Sequence, residues 1–87
     1  MSEAVATKDH ETIRTWVEKR KGRPSRVKGA SSDGVLRIDF GEREENLETI
    51  SWDEFFTIFD HNKLQFLHQE KTSDGKLSRF NKFIDRD

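Results

Sequence analysis

The sequence predicts a single small α+β domain, with two helices packed on one antiparallel sheet, in the order helix, strand, strand, helix, strand, strand. Three observations carry that reading. Ile13, Trp16 and Val17 recur at helical spacing. Leu36, Ile38 and Phe40 alternate at strand spacing, with Arg37 and Asp39 on the other face. The stretch Ile50-Ser51-Trp52-Asp53-Glu54-Phe55-Phe56 holds a complete helix-start signal.

Residues 1–7 are small and polar and are expected to be loose. Asp9 is a candidate N-cap, and Glu11 places negative charge in the first turn, where the helix dipole favours it. The stem of Arg20 continues the apolar stripe of Ile13, Trp16 and Val17. Gly22 and Pro24 stop the helix near Arg20 or Lys21. A short strand over 25–28 and a second over 35–40 then form a hairpin around the loop 29–34. An acidic connector, 41–46, leads into the second helix, expected from Trp52 to about Asp60 with Asn62 beyond it. There Ser51 is the N-cap, Glu54 completes a capping box, and Ile50 with Phe55 can form a hydrophobic staple.

A second hairpin is expected from strands over 64–69 and 77–84, with Ser73-Asp74-Gly75 at its turn. A four-residue loop places Leu67 opposite Phe80 and Leu64 opposite Phe83. A two-residue loop places Phe66 opposite Phe83. The spacing leaves both registers open. The folded domain is taken as 8–84, with 85–87 as a tail.

At 87 residues the chain is short for a large core, since a domain of this size buries only roughly 60–65% of its unfolded surface. Its 31% hydrophobic and 38% charged content lean towards disorder. Seven Phe and two Trp pull the other way, because each aromatic can bury on the order of 150–250 Å². The net charge of −1 gives no global field for nucleic acid. There is no Cys, which excludes disulfides and thiol chemistry and fits a cytoplasmic setting. No signal peptide and no membrane span are expected.

The main functional candidate is a basic run containing Lys19, Arg20, Lys21, Arg23, Arg26 and Lys28: six cations in ten residues with no acid. Such a run can grip phosphates, and Gly22 would let backbone approach closely. A solvated face at a helix C-terminus explains the same residues more simply. A candidate partner surface contains Phe66, Arg79, Phe80 and Lys82 on the second hairpin. Lys76 and Arg86 add charge there, although Arg79 and Lys82 have opposite strand parity. Glu42, Glu44, Glu45 and Glu48 form an acidic patch that can oppose the basic run.

No catalytic constellation emerges. Asp53 and Glu54 point apart on a helix, and capping explains Glu54. His10, His61 and His68 have no metal-ligand spacing, although His68 can reach Asn81 or Arg79 across the second hairpin. Trp16 and Trp52 sit at core-facing helix positions, which suits packing better than stacking on bases or sugars. No catalytic residue, cofactor or metal is therefore expected.

Several motifs together resemble a family of small bacterial proteins often labelled as 1,4-alpha-glucan branching enzymes. They are His10-Glu11-x-Ile13-Arg14-x-Trp16, Gly22-Arg23-Pro24, the 36–40 strand, the 50–56 helix start, Asp74-Gly75 and Ser78-Arg79-Phe80. The resemblance spans about 10–84. Lys21 departs from it by standing where a second glycine is usual, and the 41–46 connector is shorter and more charged. The enzyme label fails on physical grounds. Such catalysis takes a barrel of roughly 250 residues and carboxylates set across a sugar cleft. The expected function is a non-enzymatic module that binds another protein or itself. Nucleic-acid binding through the basic run and a carbohydrate-related accessory role are the alternatives.

Overall fold

A computed structural model describes residues 3–29, 35–41 and 46–86. The fold is α+β, with two helices and two three-stranded antiparallel sheets in place of the single sheet expected. The chain runs β1 (Ala4–Thr7), α1 (His10–Lys19), β2 (Arg23–Val27), β3 (Leu36–Asp39), β4 (Leu47–Thr49), α2 (Trp52–His61), β5 (Leu64–Gln69) and β6 (Asn81–Asp85). The sheets are ordered β1-β5-β6 and β3-β2-β4.

This is a βαββ order used twice, with the first strand of each half exchanged. β1 pairs with β5 of the second half, and β4 pairs with β2 of the first. Matching positions recur. Asp9 and Ser51 cap the helices, Ile13 and Phe55 then Val17 and Phe59 are buried, and Lys21 and Lys63 hold left-handed φ of 60° and 52°. Thr7 faces Phe66, and Thr49 faces Ser25, with both Phe66 and Ser25 fully buried. The first half carries one extra residue between Lys21 and its central strand, namely Gly22.

Residues 4–7 therefore do not form the loose segment expected. They are an edge strand whose backbone pairs with β5, and that pairing outweighs a weak side-chain pattern. The chain end is anchored too. The Arg86 backbone N–H donates to the Lys63 carbonyl at 2.9 Å, so 86 is no free tail.

Helix starts follow the sequence closely. The Thr12 N–H donates to Asp9 Oδ2 at 2.9 Å, and the Glu54 N–H to Ser51 Oγ at 3.0 Å. The Glu54 carboxylate turns instead towards Arg26 Nη1 at 3.4 Å. Helix α1 ends in a Schellman motif: Lys21 N–H to the Glu18 carbonyl at 3.0 Å and Gly22 N–H to the Val17 carbonyl at 2.9 Å. Gly22 leaves room for packing. A Cβ there would lie 2.9 Å from Ile38 Cγ2 and 3.0 Å from both Phe40 Cε1 and Val17 Cγ1.

One core serves both halves. Ile13, Trp16, Val17, Leu36, Phe55, Phe59 and Phe66 are buried together, with Ile50, Trp52 and Phe83 packed against them. Each such side chain contributes about 1.5–3 kcal/mol when fully buried. Phe66 lies opposite Phe83, one of the two registers anticipated, but through a different turn. A tight loop over Ser73, Asp74 and Gly75 is closed by the Gly75 N–H to the Thr72 carbonyl at 3.0 Å, with Gly75 at φ 84°. Lys71 then bridges Leu77. Between that bridge and the His68–Asn81 pair, one strand has two residues and the other has three, Ser78, Arg79 and Phe80. This one-residue bulge resets the register.

Candidate binding surfaces

The basic run is divided by the fold. Arg20 points inwards, only 5% exposed, and is no candidate for a phosphate. Its guanidinium lies 4.1 Å from the Trp16 ring centroid. It donates to four carbonyls: Trp16 at 2.9 Å, Ser78 at 2.5 Å, Glu70 at 2.7 Å and Gln69 at 3.5 Å. Two of these, Glu70 and Ser78, flank the hairpin bulge, so the planar fork bonds both arms of the hairpin at once. Burial lowers the pKa of Arg20, with the nearby Glu70 carboxylate opposing it.

Lys19 and Arg26 are also committed. Lys19 Nζ pairs with Glu70 at 3.2 Å, and its hydrogen bond leads the causes that hold Glu70 below its ordinary value. Arg26 lies between Glu48 at 3.3 Å and Glu54 at 3.4 Å. Its Nε is buried, and its approach to Glu48 is an ion pair without hydrogen-bond alignment. Lys21, Arg23 and Lys28 remain exposed. Of the acidic patch, Glu48 serves Arg26, while Glu42, Glu44 and Glu45 lie outside the described residues, as does 30–34 of the first hairpin loop.

The candidate partner surface also divides. Phe66 is fully buried and belongs to the core, because its strand face looks onto both helices. Phe80 is 47% exposed, and Leu77, missed from sequence, is 40% exposed. Phe80 lies in the bulge and Leu77 just before it, and strand alternation gives no warning of a bulge. Arg79 lies 5.4 Å over the Phe40 ring. The two sequence candidates meet here: Lys19, Arg20 and Lys21 from the end of α1 line one depression of about 240 Å³ with Leu77 and Arg79. Lys82 is exposed elsewhere on β6.

Arg86 has a separate task. It donates through Nε to the Leu64 carbonyl at 2.7 Å and through Nη2 to Asp60 at 2.9 Å. His10 approaches the other Asp60 oxygen at 2.9 Å and stacks on Phe56 with centroids 4.0 Å apart. Burial would raise the Asp60 pKa, but the His10 and Arg86 hydrogen bonds prevail and hold it down. This trio ties α1, α2 and the chain end together.

His68 stacks on Phe66 and meets the edge of Trp16. It pairs with Asn81 in register, yet both of its ring nitrogens are buried without a hydrogen-bond partner among the described residues. Burial first, then the Arg20 charge, lower its pKa, against the pull of Glu70. Trp16 is 4% exposed, with its indole N–H donating to the Gln69 carbonyl at 3.1 Å. Trp52 is half-buried and stacks on Phe56.

A larger groove of about 660 Å³ is lined by Leu36, Arg37, Asn62, Leu64 and several residues of β6. Among the described residues no cluster of three or more His, Asp or Glu side chains is placed to hold a metal, and no helix is long and apolar enough to cross a membrane. No family model, curated protein or solved structure matches the chain.

Proposed function

We propose that this chain is a non-catalytic module that binds another protein through the hairpin flank bearing Leu77, Arg79 and Phe80 and the adjoining end of α1. The observation that carries the reading is the exposure of two large apolar side chains, Leu77 and Phe80, beside Lys21 and Arg79. An apolar patch rimmed by charge is a frequent mark of an interaction site. The flank is also held in place: Arg20 fixes the bulge that displays it. A matching partner presents apolar side chains flanked by carboxylates, and a second copy of the chain is one form of such a partner.

Nucleic-acid binding is the second reading, favoured by the exposure of Lys21, Arg23 and Lys28. It has less support, since Lys19, Arg20 and Arg26 are taken by protein groups. A photo-crosslinking residue in place of Phe80, introduced in the native host, separates the two. Discrete protein adducts are expected, lost on adding Leu77→Ser and not reproduced by the same probe at Glu18. Adducts to nucleic acid, or none at all, overturn the proposal.

A further inference from the structure

His68 occupies a dry place where α1 meets the second hairpin. Its ring stacks on Phe66 with centroids 5.7 Å apart and meets the edge of Trp16 at 5.8 Å. Both ring nitrogens are buried and have no hydrogen-bond partner among the described residues. A neutral imidazole carries one N–H donor, so one buried donor is already unsatisfied. Protonation makes both nitrogens donors and adds a charge, which is costly where neither water nor an acceptor meets them.

The groups around the ring compensate a proton poorly. From α1 comes Arg20, whose guanidinium lies over the same Trp16 ring at 4.1 Å, with Lys19 and Glu11 lining the same depression of about 320 Å³. Glu70, two residues along the chain, supplies a carboxylate, but Lys19 Nζ engages it at 3.2 Å and Arg20 Nη2 at 3.5 Å. β1 sets Val5 opposite His68, with Glu3 on the same face by alternation. β6 sets Asn81 opposite, and that side-chain amide donates to the Arg79 carbonyl at 2.9 Å. Lys82, one step further, has the other parity. Burial first, then Arg20, hold the His68 pKa below its ordinary 6.5, against Glu70.

The strand that carries His68 runs straight into the hairpin end that Arg20 holds. Arg20 donates to the Glu70 and Ser78 carbonyls, the Ser78 N–H donates to the Glu70 carbonyl at 3.1 Å, and the Trp16 indole N–H donates to the Gln69 carbonyl at 3.1 Å. A second cation beside Arg20 gains water only when this hairpin end parts from α1. We propose that His68 is an acid-sensitive latch: protonation of its ring parts the end of the second hairpin from α1, breaks the Arg20 bonds to Glu70 and Ser78, and withdraws the Leu77–Phe80 flank. The closed form resists the proton and the open form takes it near pH 6.5, so opening is favoured as pH falls through that value and suppressed above it. The consequence for binding rests on the flank being the interaction surface. The latch itself does not, and it is read on the chain alone.

The test is amide and indole hydrogen exchange on the isotope-labelled full chain, corrected for intrinsic exchange rates, at pH 7.5 and 5.5. That window lies above the Glu70 carboxylate, which titrates below 4.5. The opening constants of the Ser78 amide and the Trp16 indole should rise about tenfold over it, the ratio that one proton taken up at pH 6.5 by the open form alone produces. The Arg86 amide, bonded to the Lys63 carbonyl at the other helix end, should stay level. His68→Phe should keep the ring stack and lose the rise. The His68 ring proton shifts of the unsubstituted chain give a second readout that needs no variant: the closed form should titrate below pH 6.5. Titration at or above 6.5, a level Ser78 amide, an equal rise in His68→Phe, or an equal rise at Arg86 overturns the latch. Failure of the Phe80 crosslink with the exchange pattern as expected removes only the role of the flank.

Discussion

The ends of the two helices are built from the same parts and tied into the fold in different ways. Each helix has ten residues, starts on a side-chain cap and leaves through a lysine with left-handed φ. Each end is gripped by an arginine lying over an aromatic ring, Arg20 over Trp16 and Arg86 over Phe59. Arg20 belongs to its own helix end, has a side chain 1% exposed, and holds four carbonyls. Arg86 comes from the far end of the chain, has a side chain 26% exposed, and holds one carbonyl and one half-exposed carboxylate. Local devices finish a helix in either case. How much a single cation contributes depends on how completely it replaces water at the groups it holds.

The largest expected effect breaks that comparison at Arg20. Arg20→Ala leaves buried carbonyls unpaired and should cost about 3–5 kcal/mol in urea unfolding, while Arg86→Ala should cost about 1 kcal/mol. Equal losses would show that burial is not what separates them. Gly22→Ala comes next, at about 1–3 kcal/mol, because the new Cβ must displace Ile38, Phe40 and Val17 side chains. The second half has Leu64 directly after its left-handed lysine, so this sensitivity belongs to the first half alone.

Where the halves are alike, the effects should be alike. Lys21→Gly and Lys63→Gly should each raise stability by about 0.5–1 kcal/mol, since both relieve a left-handed φ. A gain at only one of them, read from the thermal midpoint, would mean that the two exits differ in more than their arginines. The smallest effect concerns acid. Glu70 and Asp60 both titrate below their ordinary values of 4.5 and 3.8 in the folded chain. The unfolded chain therefore takes up protons first as pH falls, and the stability these groups add above those values is lost on the way down. Both are half-exposed, so each should account for only a few tenths of a kcal/mol. Glu70→Gln and Asp60→Asn should each flatten the urea midpoint against pH by a comparable amount.

The helices were legible because caps and apolar periodicity are local properties, and Ser51, Asp9, Phe55 and Phe59 behave as their spacing implies. The second hairpin was legible up to its register, since nothing local announces the bulge at Arg79 and Phe80. β1 and β4 were not. Four and three residues long, they are strands because β5 and β2 pair with them, and their own sequences carry little pattern. The basic run misled in a readable way. Arg20 continued the apolar stripe of Ile13, Trp16 and Val17, and that placement predicted its burial better than its charge predicted a ligand. Phe80 of the candidate surface, and Leu77 which the sequence reading passed over, lie beside the hairpin bulge whose Ser78 carbonyl that same buried arginine holds.

The exchange of first strands has a consequence for cutting and copying this chain. A nick in the 41–46 connector would leave two pieces, neither holding a complete sheet, because each piece's first strand is seated in the other's. The pieces are thus complementary by pairing, and both ladders need the two of them together. The same pairings arise when two copies of one half-length βαββ chain trade their first strands. Joined tail to head, such a symmetric dimer would have the connectivity of this protein, with Gly22 as the one residue by which the two helix exits differ in length.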